Sequence, residues 1–327
     1  IDSSSSVLHY KAGLGFLHPE AIPVRLRLGN GTLDSVVMER KQLFIADLRK
    51  EPLASFLLLV KQEQFQSLLA IPLEAKGKTQ GTLLVFNRSP LYPSPDLDEF
   101  LTNIGGQLAI AIDNIGMFEE LNLSHLELTM AYDTTIEGWA QALELRDQET
   151  EGHARRVADL TVRLARALDV PAEQLVHIRR GAILHDIGKM GIPDQILLKP
   201  GPLTMEERDI MKKHPIYARQ LLLPIKYLHP AIDIPYCHHE RWDGTGYPQG
   251  LKGEQIPLAA RIFAIIDVWD ALISDRPYRA AWPQEKALNY IREQAGHHFD
   301  PRVVEKFLEL LPEELGEPKR VSNLDRN

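Results

Sequence analysis

Only one of the 327 residues is a cysteine, Cys237, so no internal disulfide can staple the chain, and the composition fits a reducing compartment, the cytoplasm. No run approaches the roughly 20 uncharged apolar residues that a membrane-spanning helix needs. The longest, such as Phe56-Leu57-Leu58-Leu59-Val60, are core-sized. No half or tail of the chain is basic. Residues before 132 carry 11 basic and 15 acidic side chains and the rest carry 26 and 30, which argues against binding to a nucleic acid polymer. A signal-peptide layout is also lacking. The chain opens at Ile1, closely followed by Ser3–Ser6, and reads as a piece of a longer protein.

What is present is ordinary for a globular protein: 44% hydrophobic and 25% charged residues, with a net charge of −8. At roughly 150 residues per domain, the length predicts two domains. Histidine is the exception to this evenness. Three of the 12 lie before residue 132 and nine after it, which points to where chemistry sits.

The first hundred residues read as mixed α and β. Val24–Leu28 alternates in period two, and Ser67–Leu73 and Thr82–Phe86 are short apolar runs joined by a turn at Lys76-Gly77-Lys78. Together they predict one half-buried antiparallel sheet. From about Pro95 the period becomes helical. Leu101, Ile104, Leu108, Ala111, Ile115 and Phe118 are spaced 3, 4, 3, 4, 3, a coiled-coil-like seam. The seam breaks at Asn122 and His125, and a shifted apolar line resumes at Leu123, Leu126 and Met130. This predicts one long helix, or two abutting ones, over about 97–145, serving as a connector and a homodimer contact. Ala70-Ile71-Pro72-Leu73, Gly81–Phe86 and Gln107–Asn114 together resemble a GAF sensor domain over residues 1–118. Nothing in that stretch names its ligand, and His9 and His18 read as surface residues.

Residues 132–313 are helical in pattern, broken by Pro/Gly loops, and predict an all-α domain followed by a polar tail, 314–327. Glu149 and His153 are four apart and so share a helix face. His185 and Asp186 directly follow the apolar Ala182-Ile183-Leu184, where an unpaired imidazole or carboxylate is costly to bury. His214 precedes a proline, His238 and His239 are adjacent, and Asp267 interrupts the apolar stretch Ile262–Leu272. These five histidines and three carboxylates offer only nitrogen and oxygen donors, which suits Fe, Mn, Zn or Co. Eight donors exceed one octahedral ion and fit two or three. Glu149 is the residue that would recruit a third. Cys237 reads as a small buried hydrophobe rather than a ninth ligand.

The same residues, in order, resemble an HD-GYP domain, a branch of the HD metal-dependent phosphohydrolases. The match runs from Glu149-Thr150-Glu151-Gly152-His153 through His185-Asp186-Ile187-Gly188-Lys189 and Lys212-Lys213-His214-Pro215. It continues with His238–Pro248, Asp267–Leu272, Arg276-Pro277-Tyr278-Arg279 and Phe299-Asp300-Pro301. The resemblance implies a cyclic di-GMP phosphodiesterase giving linear pGpG, with GMP as a further product. It implies metal ligation by Glu149, His153, His185, Asp186, His214, His238, His239 and Asp267, with Fe or Mn favoured and Asp186 and Asp267 as bridges. It places Lys189, Arg276 and Arg279 at the substrate phosphates with Asp270 nearby. A hydroxide shared by the ions would attack phosphorus, with His185, Asp186 and Lys189 at the catalytic centre.

The loop Asp243–Pro248 either shapes itself around its glycines or forms a substrate wall or a surface for a diguanylate cyclase-type partner, with Tyr247 exposed. Two further readings stay open. One is a metal phosphohydrolase acting on another cyclic nucleotide. The other is a non-catalytic module binding cyclic di-GMP or a partner, which a broken ligand set would favour.

Overall fold

The computed structural model describes residues 7–29, 32–51, 53–147, 152–275 and 280–314. The chain divides into two compact units, residues 1–127 and 128–327.

The first unit is α+β. Strands β1 (Val7–His9) and β2 (Arg25–Arg27) form one antiparallel ribbon. Strands β3 (Leu43–Ile45), β4 (Ser67–Ala75) and β5 (Lys78–Asn87) form a separate antiparallel sheet in that order. The single sheet expected from the sequence is therefore two. Arg25 and Arg27 are both exposed and only Leu26 turns inward, so β2 has one apolar side chain to bury and pairs with short β1 instead. Lys76 and Gly77, both in the left-handed region with φ of 51° and 74°, close the β4–β5 hairpin in two residues. Helices α1 (Asp34–Met38) and α2 (Leu57–Glu63) cover one face of this sheet, where Val36, Ile45, Leu59, Leu68 and Ala70 form the core. The alternate residues Leu73 and Ala75 pack on Ala109.

Ala109 belongs to α3, a single helix over Pro95–Asp147. It starts two residues before the expected range and ends two after it, and the interrupted seam does not break it. A Cβ on Gly105 would come 3.0 Å from Ile71, so this glycine admits the helix close to the sheet.

The second unit is helical. In order come α4 (His153–Ala167), α5 (Ala172–Ile183), α6 (Asp194–Leu197), α7 (Met205–Met211) and α8 (His214–Leu222). Then follow α9 (Asp233–Cys237), α10 (Leu258–Ile273), α11 (Gln284–Glu293) and α12 (Pro301–Glu314). Pro171, Pro193, Pro257 and Pro283 each stand directly ahead of a helix, their extended backbone ending the preceding loop. Thr204 and Glu207 form a reciprocal capping box on α7. Helix α10 is apolar on most of its surface and is the central element, its Phe263, Ile265 and Ile266 packing in one core with Val157, Leu164 and Phe307. No described helix is long and apolar enough to cross a membrane.

Candidate metal centre

Five segments of the second unit deliver seven of the eight predicted donors to one place. His153 opens α4 and His214 opens α8. His185 and Asp186 lie in the turn that leaves α5, His238 and His239 follow α9, and Asp267 sits inside α10. Gly188 explains one convergence. A Cβ there would lie 1.8 Å from the His214 carbonyl oxygen, so only glycine lets the 3-10 turn Ile187–Gly191 rest on the start of α8. That close approach carries Asp186 beside His214.

Four of the imidazoles are oriented from behind. The Nδ1 atoms of His185, His214 and His238 lie 2.8, 2.9 and 3.1 Å from the backbone carbonyls of Ala182, Met211 and Ile234. His153 Nδ1 lies 2.7 Å from a carboxylate oxygen of Asp270. An acceptor at Nδ1 fixes the proton on that nitrogen and leaves the Nε2 lone pair facing inward. The inward atoms form two groups. In one, donor atoms of His214, His238 and His239 lie within 4.8 Å of one another, and in the other so do those of His153, His185 and Asp267. Asp186 stands between them. Its Oδ2 is 3.0 Å from His185 Nε2, and its Oδ1 is 3.3 Å from His214 Nε2 and 3.8 Å from His238 Nε2.

These residues fit divalent cations. With their protons on Nδ1, the Nε2 atoms of His214 and His238 point lone pairs at each other across 3.3 Å, an arrangement that a shared cation reconciles. Electrostatics agree. Burial pushes the His238 and His214 imidazoles below their usual range, and His239 down to about 3, so all three stay neutral and able to ligate. Burial alone would raise Asp186. The Lys189 ammonium and the imidazoles of His185 and His214 outweigh it and hold the carboxyl well below the usual carboxylate range. A carboxylate held ionised among imidazoles is a donor set for hard or borderline ions.

Glu149, Arg276, Tyr278 and Arg279 lie outside the described residues. Lys189 reaches the site, its Nζ 2.6 Å from Asp186 Oδ2. Asp270, expected near the substrate phosphate, instead turns its carboxylate to His153 and to Arg156, whose Nε is 3.3 Å away. Tyr247 is half-buried rather than exposed, because its ring stacks on His239 with centroids 4.8 Å apart. Trp242 is flanked by the Arg261 guanidinium, 5.8 Å from its ring. Cys237 is buried, and its thiol is pushed up to about 12 by burial and by Asp233 and Glu240, so it takes no part as a thiolate ligand.

Three residues were not singled out in the sequence: Glu144, Arg146 and Asp147, all in the last turns of α3. Glu144 accepts the N–H groups of Gly152 and Ala154 at 3.1 and 2.8 Å and so caps the start of α4, where His153 sits. Arg146 and Asp147 reach the turn that carries Lys189. The signal was a charged run ending a helix, which reads as a solvated face until the neighbouring turn is in place.

A helical domain that turns imidazoles and carboxylates inward from five segments defines a divalent-metal site of the nitrogen and oxygen kind. The chain belongs to the HD domain family: that family's model matches residues 138–303, and a GAF domain model matches residues 2–113. A cyclic di-GMP phosphodiesterase of Vibrio cholerae is 40% identical over 246 residues, covering 70% of this chain and 47% of that protein. A Thermotoga maritima protein of the same name is 46% identical over 171 residues, covering 51% of this chain and 46% of its own length. A 3'3'-cGAMP-specific phosphodiesterase of Vibrio cholerae is 40% identical over 205 residues, covering 62% of this chain and 39% of its own. The chain thus spans less than half the length of these relatives.

Proposed function

We propose that the second unit is a metal-dependent phosphodiesterase that hydrolyses cyclic di-GMP to linear pGpG, with GMP as a further product, and that the GAF domain regulates it. One observation carries this reading: two donor triads face a common carboxylate, Asp186, and a cation, Lys189, touches that same carboxylate. The names of relatives at 40–46% identity supply the substrate class.

His214, His238 and His239 would hold one ion, His153, His185 and Asp267 a second, and Asp186 would serve both. Two or three divalent ions are expected, with Fe or Mn favoured by an all nitrogen and oxygen donor set and Glu149 as the ligand of a third. When bound, such ions supply Lewis acidity and a water of lowered pKa. The rest is the work of the chain. The backbone carbonyls and Asp270 behind the imidazoles keep four Nε2 atoms aimed inward. Lys189 offers a positive charge where charge grows on the phosphoryl oxygens as the diester P–O bond breaks and water is added. Arg276 and Arg279 are assigned to the same phosphates. Tyr247, stacked on His239, forms a wall beside the triad of His214, His238 and His239.

The same reading makes α3 a homodimer contact. Gly105 and Ala109 face the β-sheet of their own unit, whereas Leu108, Ile115 and Phe118 of the seam are exposed, as a face awaiting an identical helix would be. The Asp243–Pro248 loop is a surface for a diguanylate cyclase-type partner, and the cytoplasm is the expected location.

The test is elemental analysis with product chromatography on the purified chain, given cyclic di-GMP and 3'3'-cGAMP in parallel. Linear pGpG from cyclic di-GMP is expected, with both metal and turnover lost in His185→Ala. The relative specific for 3'3'-cGAMP makes that nucleotide the second reading. Faster turnover of it would replace the first. Nucleotide binding without hydrolysis by a metal-loaded chain would reduce the domain to a binding module.

A further inference from the structure

The last turn of α3 grips the site. Arg146 Nη1 donates to the Lys189 carbonyl at 3.1 Å, and its Nη2 donates to the Ile192 carbonyl at 2.8 Å and to Asp194 Oδ1 at 2.7 Å. One guanidinium therefore ties the middle of the turn Ile187–Gly191 and the segment beyond it to the helix. The next residue, Asp147, has a side chain only 3% exposed, and its Oδ2 lies 3.1 Å from Lys189 Nζ. On its other side the same ammonium meets Asp186 Oδ2 at 2.6 Å. Lys189 is thus held between a carboxylate that faces both triads and a carboxylate that belongs to α3. Helix α3 is anchored upstream as well, where Asp133 accepts from buried Arg180 at 2.7 Å, five residues before His185 on α5.

We propose that Arg146 and Asp147 are positioning residues for Lys189: Arg146 sets the backbone of the turn and Asp147 sets the direction of the ammonium, so that α3 determines where the phosphate-directed charge stands. This rests on the assignment of Lys189 to the substrate phosphate. The geometry explains why both groups are needed. A lysine side chain is a flexible stem bearing a point charge, and its head follows its ion-pair partners. With Asp147 neutralised, the ammonium has Asp186 as its charged partner from this pair and is drawn toward the metal ligands, away from a phosphate. A misplacement of about 1 Å at such a group can cost as much as about 100-fold in rate.

The test uses the full chain loaded with manganese, in four forms: the parent, Asp147→Asn, Lys189→Met and the double variant. Each is assayed on cyclic di-GMP and on bis(p-nitrophenyl) phosphate, a generic phosphodiester, with metal content and melting temperature measured alongside. Asp147→Asn is expected to lower kcat/KM at least about tenfold at unchanged metal content. The double variant is expected to be no slower than Lys189→Met, because Asp147 acts only through that lysine. Arg146→Ala is expected to follow the same pattern. A loss below twofold in Asp147→Asn overturns the proposal. So does a double variant slower than Lys189→Met by the full factor of the single change, or a loss that tracks metal content. If the parent cleaves bis(p-nitrophenyl) phosphate but not cyclic di-GMP, the substrate reading fails while the cycle on the generic diester still decides the positioning role.

Discussion

Asp270 shows how a single carboxylate changes meaning once its neighbours are known. In the sequence it stands three residues after Asp267 and reads as part of the substrate site. In the structure it accepts from His153 Nδ1 at 2.7 Å and pairs with Arg156. Burial alone would raise its pKa, but the hydrogen bonds from His153 and Arg156 outweigh this and keep the carboxyl lowered and ionised. Carboxylates behind metal-bound histidines raise ligand basicity and fix the ring, and losing one costs about 10–100-fold in metal affinity. Asp270→Asn is therefore expected to weaken manganese binding by about that factor, read by metal titration of the apo-protein, with the fold retained. An unchanged affinity would return Asp270 to the substrate side. His298 carries a second residue-level expectation. Its ring stacks on Phe299 with centroids 4.2 Å apart, and its Nδ1 has no hydrogen-bond partner among the described residues. Burial and the Arg241 guanidinium push its pKa down to about 4, against about 6.5 unfolded. Between those values the unfolded chain binds more protons than the native one, so this contribution is complete above about pH 6.5 and is lost as pH falls toward 4. Allowing for partial exposure, it amounts to about 2 kcal/mol. His298→Phe keeps the stack and is expected to flatten the acid limb. The gap in urea midpoint between variant and parent should then change between pH 7.5 and 4.5, and a constant gap would refute this.

Elements explain what the sequence could and could not reveal. Part of the donor cluster was legible because it broke local rules: His185 and Asp186 follow an apolar run, and Asp267 interrupts another. The 3,4-spaced seam of α3 was legible because helical period is a local property. The two-sheet arrangement was not, since which strand pairs with which depends on contacts distant in sequence. β2 could not show that its partner would be Val7–His9. Nor could Glu144, Arg146 and Asp147 be distinguished from the solvated end of a helix. Gly188 sits between these cases, visible in the motif but explained only by the His214 carbonyl that a Cβ would strike. Gly188→Ala is expected to push the turn away from α8, destabilising the unit by about 3 kcal/mol. Because that displacement separates Asp186 from His214, metal affinity should fall with it. A variant that melts earlier but binds metal as the parent does would show that the turn can yield without moving Asp186. For α3, Leu108→Glu with Ile115→Glu places charge on the exposed seam and leaves Gly105 and Ala109 against the sheet. A monomer by sedimentation with an unchanged far-UV spectrum is expected, and a persistent dimer would move the interface elsewhere.

At the scale of the whole molecule, two units share one continuous helix, Pro95–Asp147. The second unit has its own core around α10, with Phe263, Ile265, Ile266 and Phe307 among its buried residues, and the described residues of that cluster run from Ile136 to Leu311. Its donor cluster nevertheless adjoins the far end of that helix: Glu144 caps α4, Arg146 donates to the Lys189 carbonyl and Asp147 accepts from the Lys189 ammonium. A GAF domain can influence such a site only if its bound and free states differ in how they hold α3. Deleting residues 1–118 removes the sensor and the seam from Leu101 to Phe118 while leaving these three anchors in place. The truncated chain is expected to fold and bind metal, to sediment as a monomer, and to turn over at a rate different from the parent, since the end of α3 then frays or settles without restraint from a partner. The direction of the change identifies the resting state: a faster fragment means the sensor restrains Lys189, and a slower one means the paired helices hold it in place. A fragment that remains dimeric and hydrolyses at the parental rate would reduce α3 to a tether and confine control of the site to the second unit.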